Sequence, residues 1–181
     1  DGNSRPGATG SPARSPAECN EVIGYGRVDG VLAEVGRDPT GGAGSGSGLG
    51  SQGAIAGSEP RLLVVNAGSD QLALFTVRGN GDLVLTDIEA TGGSHPISVT
   101  VDGDVAYVLN GGDQTVTGFR VRSGQLRMIA GSHPSIPGSR AGQIYFVRDC
   151  RRLAVTGKAM GPIQRLPVRG GVARSAVSNG R

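Results

Sequence analysis

The chain has 181 residues, 18 basic and 15 acidic side chains for a net charge of +3, 33 glycines, no tryptophan and 3% aromatics. Such a composition places the core on Val, Leu and Ala spread over many short elements joined by tight turns. No apolar run approaches the ~20 residues of a bilayer-spanning helix, so no membrane span is expected.

Residues 1–18 are Gly, Pro, Ser, Arg and Ala without apolar periodicity and read as a disordered tail, leaving 19–181 as the folded domain. Alternation of apolar and polar residues, with Gly, Asn and Asp at the breaks, then predicts strands at 22–28, 31–36, 54–58, 61–66, 71–77, 83–89 and 96–101. It predicts further strands at 104–109, 114–121, 125–130, 142–147, 152–156, 162–168 and 172–177. Gly79-Asn80-Gly81-Asp82, Asp102-Gly103-Asp104 and Ser123-Gly124 supply residues that tolerate the positive φ of hairpin turns, and Asp149-Cys150-Arg151 marks another turn. No segment has a helical period.

The strands repeat. Leu63-Val64-Val65-Asn66 runs on to Phe75 and Val77, and Tyr107-Val108-Leu109-Asn110 to Phe119 and Val121, each pair 44 positions apart. Val155-Thr156-Gly157-Lys158 is a worn third copy, and Val22 and Tyr25 stand for Leu72 and Phe75 in a partial one. A period of roughly 40–45 residues built from short strands is that of a β-propeller blade. The expected fold is therefore all-β, a partial propeller of about three and a half four-stranded blades: 21–36 (outer two strands only), 54–89, 96–130 and 142–177. Closed propellers use about 4–8 blades, so self-association to complete the ring is one expectation, and exposed strand edges favour it.

Several stretches resemble the lactonase-like seven-bladed propellers, the 6-phosphogluconolactonase and 3-carboxymuconate cyclase group with YVTN-type repeats. They are Pro39-Thr40-Gly41-Gly42 through Gly48-Leu49-Gly50-Ser51-Gln52-Gly53-Ala54, Val64-Val65-Asn66-Ala67-Gly68-Ser69, Tyr107-Val108-Leu109-Asn110 with Ile129-Ala130-Gly131-Ser132, and Val155-Thr156-Gly157-Lys158-Ala159. The resemblance covers residues from about 20 to 178 and implies a bacterial protein that hydrolyses a sugar-acid or muconate-type lactone. The chain departs from the family in its shorter length, in Gly157 where the family carries Glu before the Lys, in Arg148-Asp149-Cys150 for a Pro-Asp-Gly turn, and in Arg165 where a strand should be apolar. The alternatives are a non-catalytic propeller module that binds a protein or small molecule, and an inactive fragment.

Lactone hydrolysis needs a base near pH 7 and a cation to hold a carboxylate or phosphate. In a propeller the loops after second and fourth strands share one face. His95, in Gly93-Ser94-His95-Pro96 before an innermost strand, is the candidate base, since an imidazole titrates near 6.5. Lys158 (the only lysine), Arg120 and Arg140 are the candidate anion holders, and His133 and Asn110 complete the substrate-binding set. His133 sits in a second Gly-Ser-His-Pro, 131–134, which reads as His95's counterpart one blade on. The bland reading makes both histidines turn residues before proline, and Asn66, Asn110, Asp70 and Asp113 turn formers.

The arginines are scattered, densest at Arg120, Arg122 and Arg127 and at Arg148, Arg151 and Arg152, without the run of stacking aromatics that marks a nucleic-acid site. Gly48-x-Gly50-x-x-Gly53 matches a dinucleotide fingerprint in letters only, because Pro60 stops the segment where a helix should follow. No His, Asp or Glu cluster has ligand spacing, so no metal and no cofactor are expected. Cys19 and Cys150 read as two thiols, or as a disulfide if the tail folds back, which would imply an oxidising compartment. No targeting segment is visible, which leaves cytoplasmic and exported locations both open.

Overall fold

The computed structural model describes residues 19–136, 140–147, 151–158 and 163–175, and among them there is no helix. The strands are β1 (Glu21–Val28), β2 (Val31–Pro39), β3 (Ile55–Ser58), β4 (Arg61–Asn66), β5 (Gln71–Val77), β6 (Leu83–Ala90) and β7 (Pro96–Asp102). They continue as β8 (Val105–Asn110), β9 (Thr115–Arg122), β10 (Gln125–Met128), β11 (Ala141–Phe146), β12 (Arg152–Gly157), β13 (Gln164–Arg169) and β14 (Val172–Ala173). β3-β4-β5-β6, β7-β8-β9-β10 and β11-β12-β13-β14 are antiparallel four-stranded meanders, and β1-β2 is a two-stranded sheet. The described residues form a partial β-propeller: three blades and the outer half of a fourth.

Alternation along each strand sends side chains to both faces of a blade, and the blades stack through those faces. Leu63, Val65, Leu72 and Leu74 of the first full blade bury against Val99, Val108, Phe119, Val121 and Leu126 of the second. Tyr107, Leu109 and Val116 of the second bury against Ile144, Phe146, Leu153, Leu166 and Val168 of the third. Phe75 and Phe119 occupy the same place in successive blades, each 1% exposed or less. Tyr107 is the largest buried side chain; its ring meets Phe146 edge-on at 5.4 Å and its hydroxyl donates to the Gly171 carbonyl at 2.6 Å. The innermost strands are knit by side chains: the Ile144 and Phe146 amides donate to Ser98 Oγ (3.2 Å) and Thr100 Oγ1 (3.3 Å).

β1 and β2 correspond to the third and fourth strands of a blade. The Thr40 amide donates to the Asn20 carbonyl just as that of Thr91 donates to the Asp70 carbonyl, and each threonine's Oγ1 lies within 3.1 Å of the same carbonyl oxygen. Among the described residues no strand pairs with the other edge of β1, and Tyr25, Val28, Val31, Leu32 and Val35 are exposed.

Three expectations are corrected. The fourth strand of the second blade, expected at 125–130, ends as β10 at Met128; the chain bulges outward and rejoins β9 further up, with the Gly118 and Val116 amides donating to the carbonyls of Ser132 and Pro134. Gly131-Ser132-His133-Pro134 is thus part of the blade's outer edge and not a crossing loop. Arg140, not His133, is the counterpart of His95: Gly111 donates its amide to the His95 carbonyl, and Lys158 donates its amide to the Arg140 carbonyl. The last strand, expected at 172–177, is Val172–Ala173, and its end from 176 lies outside the described residues, as do Arg148, Asp149 and Cys150.

Candidate functional site: a glycine-rich crossing over the blade tops

One end of the arc carries the second-to-third-strand turns and the crossings between blades. The turns and crossings are clamped together by a repeated device. Asp70 and Gln114 each hold a left-handed conformation, φ 55° and 57°, which aims the side chain at the start of the next blade. Asp70 Oδ1 accepts the His95 amide at 2.6 Å, and Gln114 Oε1 accepts the Ala141 amide at 3.0 Å.

Asn66 and Asn110 end the second strands and are fully buried. Asn66 Oδ1 accepts from Asn20 Nδ2 (2.9 Å) and Thr40 Oγ1 (2.7 Å), while Asn110 Nδ2 donates to Thr115 and Thr117 Oγ1, each at 3.1 Å. They bind side chains of the blade and crossing in addition to ending a strand. Asn110 is therefore part of the packing beneath a crossing.

The third blade breaks this pattern. Ala141 pairs with Gly157 as Pro96 pairs with Asn110, so Gly157 takes the asparagine's place and leaves it empty of side chain. The first crossing is also longer, residues 41–54 against 92–95. Its surplus bends over the innermost strands: the Val99 amide donates to the Gly53 carbonyl (2.7 Å), and Ser51 Oγ to the Ile97 carbonyl (2.7 Å). Gly50 and Gly53, at φ 56° and 78°, make the bend, a conformation that glycine adopts without penalty. Leu49 packs into both inter-blade cores.

Between this crossing and the third blade lies a cleft of about 420 Å³, lined by Gly50, Ser51, Gln52, Gly142, Gln143, Thr156, Gly157 and Lys158. Lys158 Nζ donates to the Leu49 carbonyl at 3.2 Å and stays exposed. The wall thus offers one ammonium, two carboxamides, a threonine hydroxyl, and the Ser51 hydroxyl already donating to the Ile97 carbonyl. These groups can hold an anion and its neighbouring hydroxyls; none of the lining side chains is an imidazole or a carboxylate.

The other expected site residues stand elsewhere. His95 is half-buried at φ 52° between the Asp70 and Gly112 turns and does not line the cleft. His133 is exposed, with Nδ1 2.9 Å from Thr117 Oγ1. Arg120 lies at the opposite end of the blades, where its Nη1 pairs with Asp104 at 3.1 Å and its Nη2 reaches the Gly170 carbonyl. Arg122 shares Asp104, and its hydrogen bond leads the effects that hold that carboxyl below its ordinary range. Arg140 reaches the cleft's neighbourhood through its carbonyl on Lys158, and its side chain is exposed. Gln52, Gln143 and Thr156 were not singled out from the sequence; the signal for them is the Asn-to-Gly change at 157 opposite a long glycine-rich crossing. Among the described residues no three His, Cys, Asp or Glu side chains gather as metal ligands do.

No protein-family model and no curated protein sequence matches the chain. Solved structures do. A protein of Bacteroides uniformis assigned as a 6-phosphogluconolactonase aligns over 90% of this chain and 50% of its own, with a TM-score of 0.66 and 12% identity. The likeness is one of fold. The periplasmic gluconolactonase of Pseudomonas aeruginosa aligns over 85% of this chain and 48% of its own, TM-score 0.59, identity 19%. A protein of Lactobacillus plantarum aligns over 86% and 49%, TM-score 0.63, identity 18%. The chain spans about half the length of each of these three proteins.

Proposed function

We propose that this chain is an arc of a lactonase-like propeller that binds the anionic group of a sugar acid, or of a lactone that carries a phosphate, in the Lys158 cleft. The observation that carries this is the composition of the cleft wall: an exposed ammonium beside Gln52, Gln143 and Thr156, with small glycines opposite. A carboxylate or phosphate would take the ammonium, and carboxamides and a hydroxyl suit the adjoining sugar hydroxyls. The names of the structural neighbours support this ligand class. Hydrolysis requires a base in reach of the attacking water, and the described residues of the cleft wall offer no imidazole or carboxylate, so binding without turnover is the reading favoured for this chain.

The test is titration calorimetry with gluconate, 6-phosphogluconate and gluconolactone, run beside a turnover assay. Saturable binding of the anions that is lost in Lys158→Met, with no hydrolysis above the spontaneous rate, is the expected result. Hydrolysis that disappears in His95→Ala would replace it with the catalytic reading. No binding of any of the three would sink it.

A further inference from the structure

The cleft opens onto the outer face of the third blade, and that face differs in kind from its counterparts. In the first full blade the equivalent positions are Leu63, Val65 and Leu74, and in the second Tyr107, Leu109 and Gly118; the hydrophobic ones are buried beneath the next blade. In the third blade the register places Ala154, Thr156 and Arg165 there, with Tyr145 beside Ala154 and Gln143 beside Thr156. Tyr145 is 65% exposed and Arg165 is exposed. Arg165 ends its row, because β14 pairs only with Val168 and Arg169; an arginine on a sheet face is not built for apolar packing, because burying its charge without a partner is strongly unfavourable. The described residues from 140 to 175 contain Arg140, Arg151, Arg152, Lys158, Arg165, Arg169 and Arg174 and no carboxylate. This blade is therefore cationic, while the first full blade carries Glu59, Asp70, Asp82, Asp87 and Glu89 against Arg61 and Arg78.

We propose that the outer face of the third blade binds an acidic oligosaccharide, a chain of uronic acids, running from the Lys158 cleft across Tyr145 to Arg165. This deepens the proposed reading of the cleft and rests on it. Cross-strand pairing sets Tyr145, Ala154 and Arg165 in one row, and Gln143 and Thr156 in the next row toward the cleft. A saccharide chain lying along these rows meets a cation at each end, a flat exposed ring between them, and amide and hydroxyl groups at the sugar hydroxyls. Arginine presents a planar fork matched to a carboxylate, and tyrosine combines an apolar ring with a polar tip. Nucleic acid and acidic protein share the charge. A base also stacks on tyrosine, but single-strand sites use several stacking aromatics, and Tyr145 alone among the described residues of this face is aromatic; acidic protein lacks the ring faces flanked by hydroxyls that this sequence of side chains fits.

The experiment uses the full chain and calorimetric titration with tetragalacturonate, monomeric galacturonate, gluconate, cellotetraose, oligo-dT and polyglutamate. Tetragalacturonate is expected to bind about tenfold more tightly than the monomer, and cellotetraose not to bind. Tyr145→Ala and Arg165→Gln each weaken the tetramer by about tenfold and leave gluconate unchanged, Tyr145→Phe keeps most of the affinity, Arg165→Lys keeps the charge without the planar fork and recovers only part of it, and Lys158→Met weakens both ligands. Unchanged melting temperatures establish that the variants fold. A tetramer no tighter than the monomer overturns the extended surface and leaves the cleft reading standing. Equal binding of oligo-dT or polyglutamate, indifferent to Tyr145→Ala, overturns it as a saccharide site. Tetramer binding through Tyr145 without gluconate binding overturns the cleft reading alone.

Discussion

Gly93 lies flat against the buried carboxamide of Asn110, so close that a methyl group on Gly93 would overlap it; Gly42 stands in the same relation to Asn66. The asparagine cannot swing aside, because Asn110 Nδ2 is committed to Thr115 and Thr117. Gly93→Ala is expected to destabilise the fold by about 1–3 kcal/mol, the range for overpacking a tight site. Gly36→Ala, where an added Cβ meets nothing within 4 Å, is expected to stay within about 0.5 kcal/mol. Urea unfolding of the two variants decides it: equal midpoints would mean that the crossing yields.

Tyr107 links the second and third blades, and its hydroxyl is pushed up to about 12, chiefly by burial. An unfolded tyrosine titrates near 10. Holding this group neutral stabilises the fold fully below pH 10, and that contribution is lost as pH rises toward 12. Tyr107→Phe is expected to cost about 1 kcal/mol at neutral pH through the lost bond to Gly171. Its stability should fall less than wild type between pH 10 and 12. Parallel declines in chemical denaturation would show that the alkaline loss comes from other groups.

At the opposite end of the blades Asp104 receives Arg120 and Arg122, whose side chains are 38% and 71% exposed. Exposure keeps such pairs weak, so Asp104→Asn is expected to cost less than ~1 kcal/mol, and less again in high salt. The carboxyl is held below its ordinary range, so its contribution is present above about pH 4 and is lost as pH falls through the lowered value. Melting curves from pH 7 to 3 should converge for the two proteins; a gap that widens in acid would contradict this.

Lys158→Met is expected to weaken gluconate and 6-phosphogluconate by at least about tenfold, as one charge-assisted hydrogen bond is removed. Its melting temperature should hardly change, because Nζ is exposed and its bond among the described residues is to the Leu49 carbonyl. His95→Ala should leave the affinity intact. Reversed sensitivities would place the anion at the His95 turn.

The blades were legible because their determinants are local. Period-2 alternation and turn residues fix strand limits, and the 44-residue interval from Asn66 to Asn110 counts the blades without reference to contacts. Letters alone misled where pairing decides meaning. The same Gly-Ser-His-Pro forms a crossing at 93–96 and an edge at 131–134, because the bulge after Met128 delays the chain's return to β9. Arg120 looked like an anion holder until its strand placed it at the end where Asp104 lies.

The sequence by itself determined an all-β chain, its strands and its repeat, since each follows from propensity and spacing within a few residues. Tertiary structure alone decided which side chains share a surface. Gly157 reads as a lost glutamate in the chain, yet in the fold it is the empty asparagine place that opens the cleft. Lys158 and Leu49 lie far apart along the chain and meet only because the long first crossing bends over the innermost strands. A site assembled by non-local contacts leaves no periodic trace, and only the stacking of the blades brings it together.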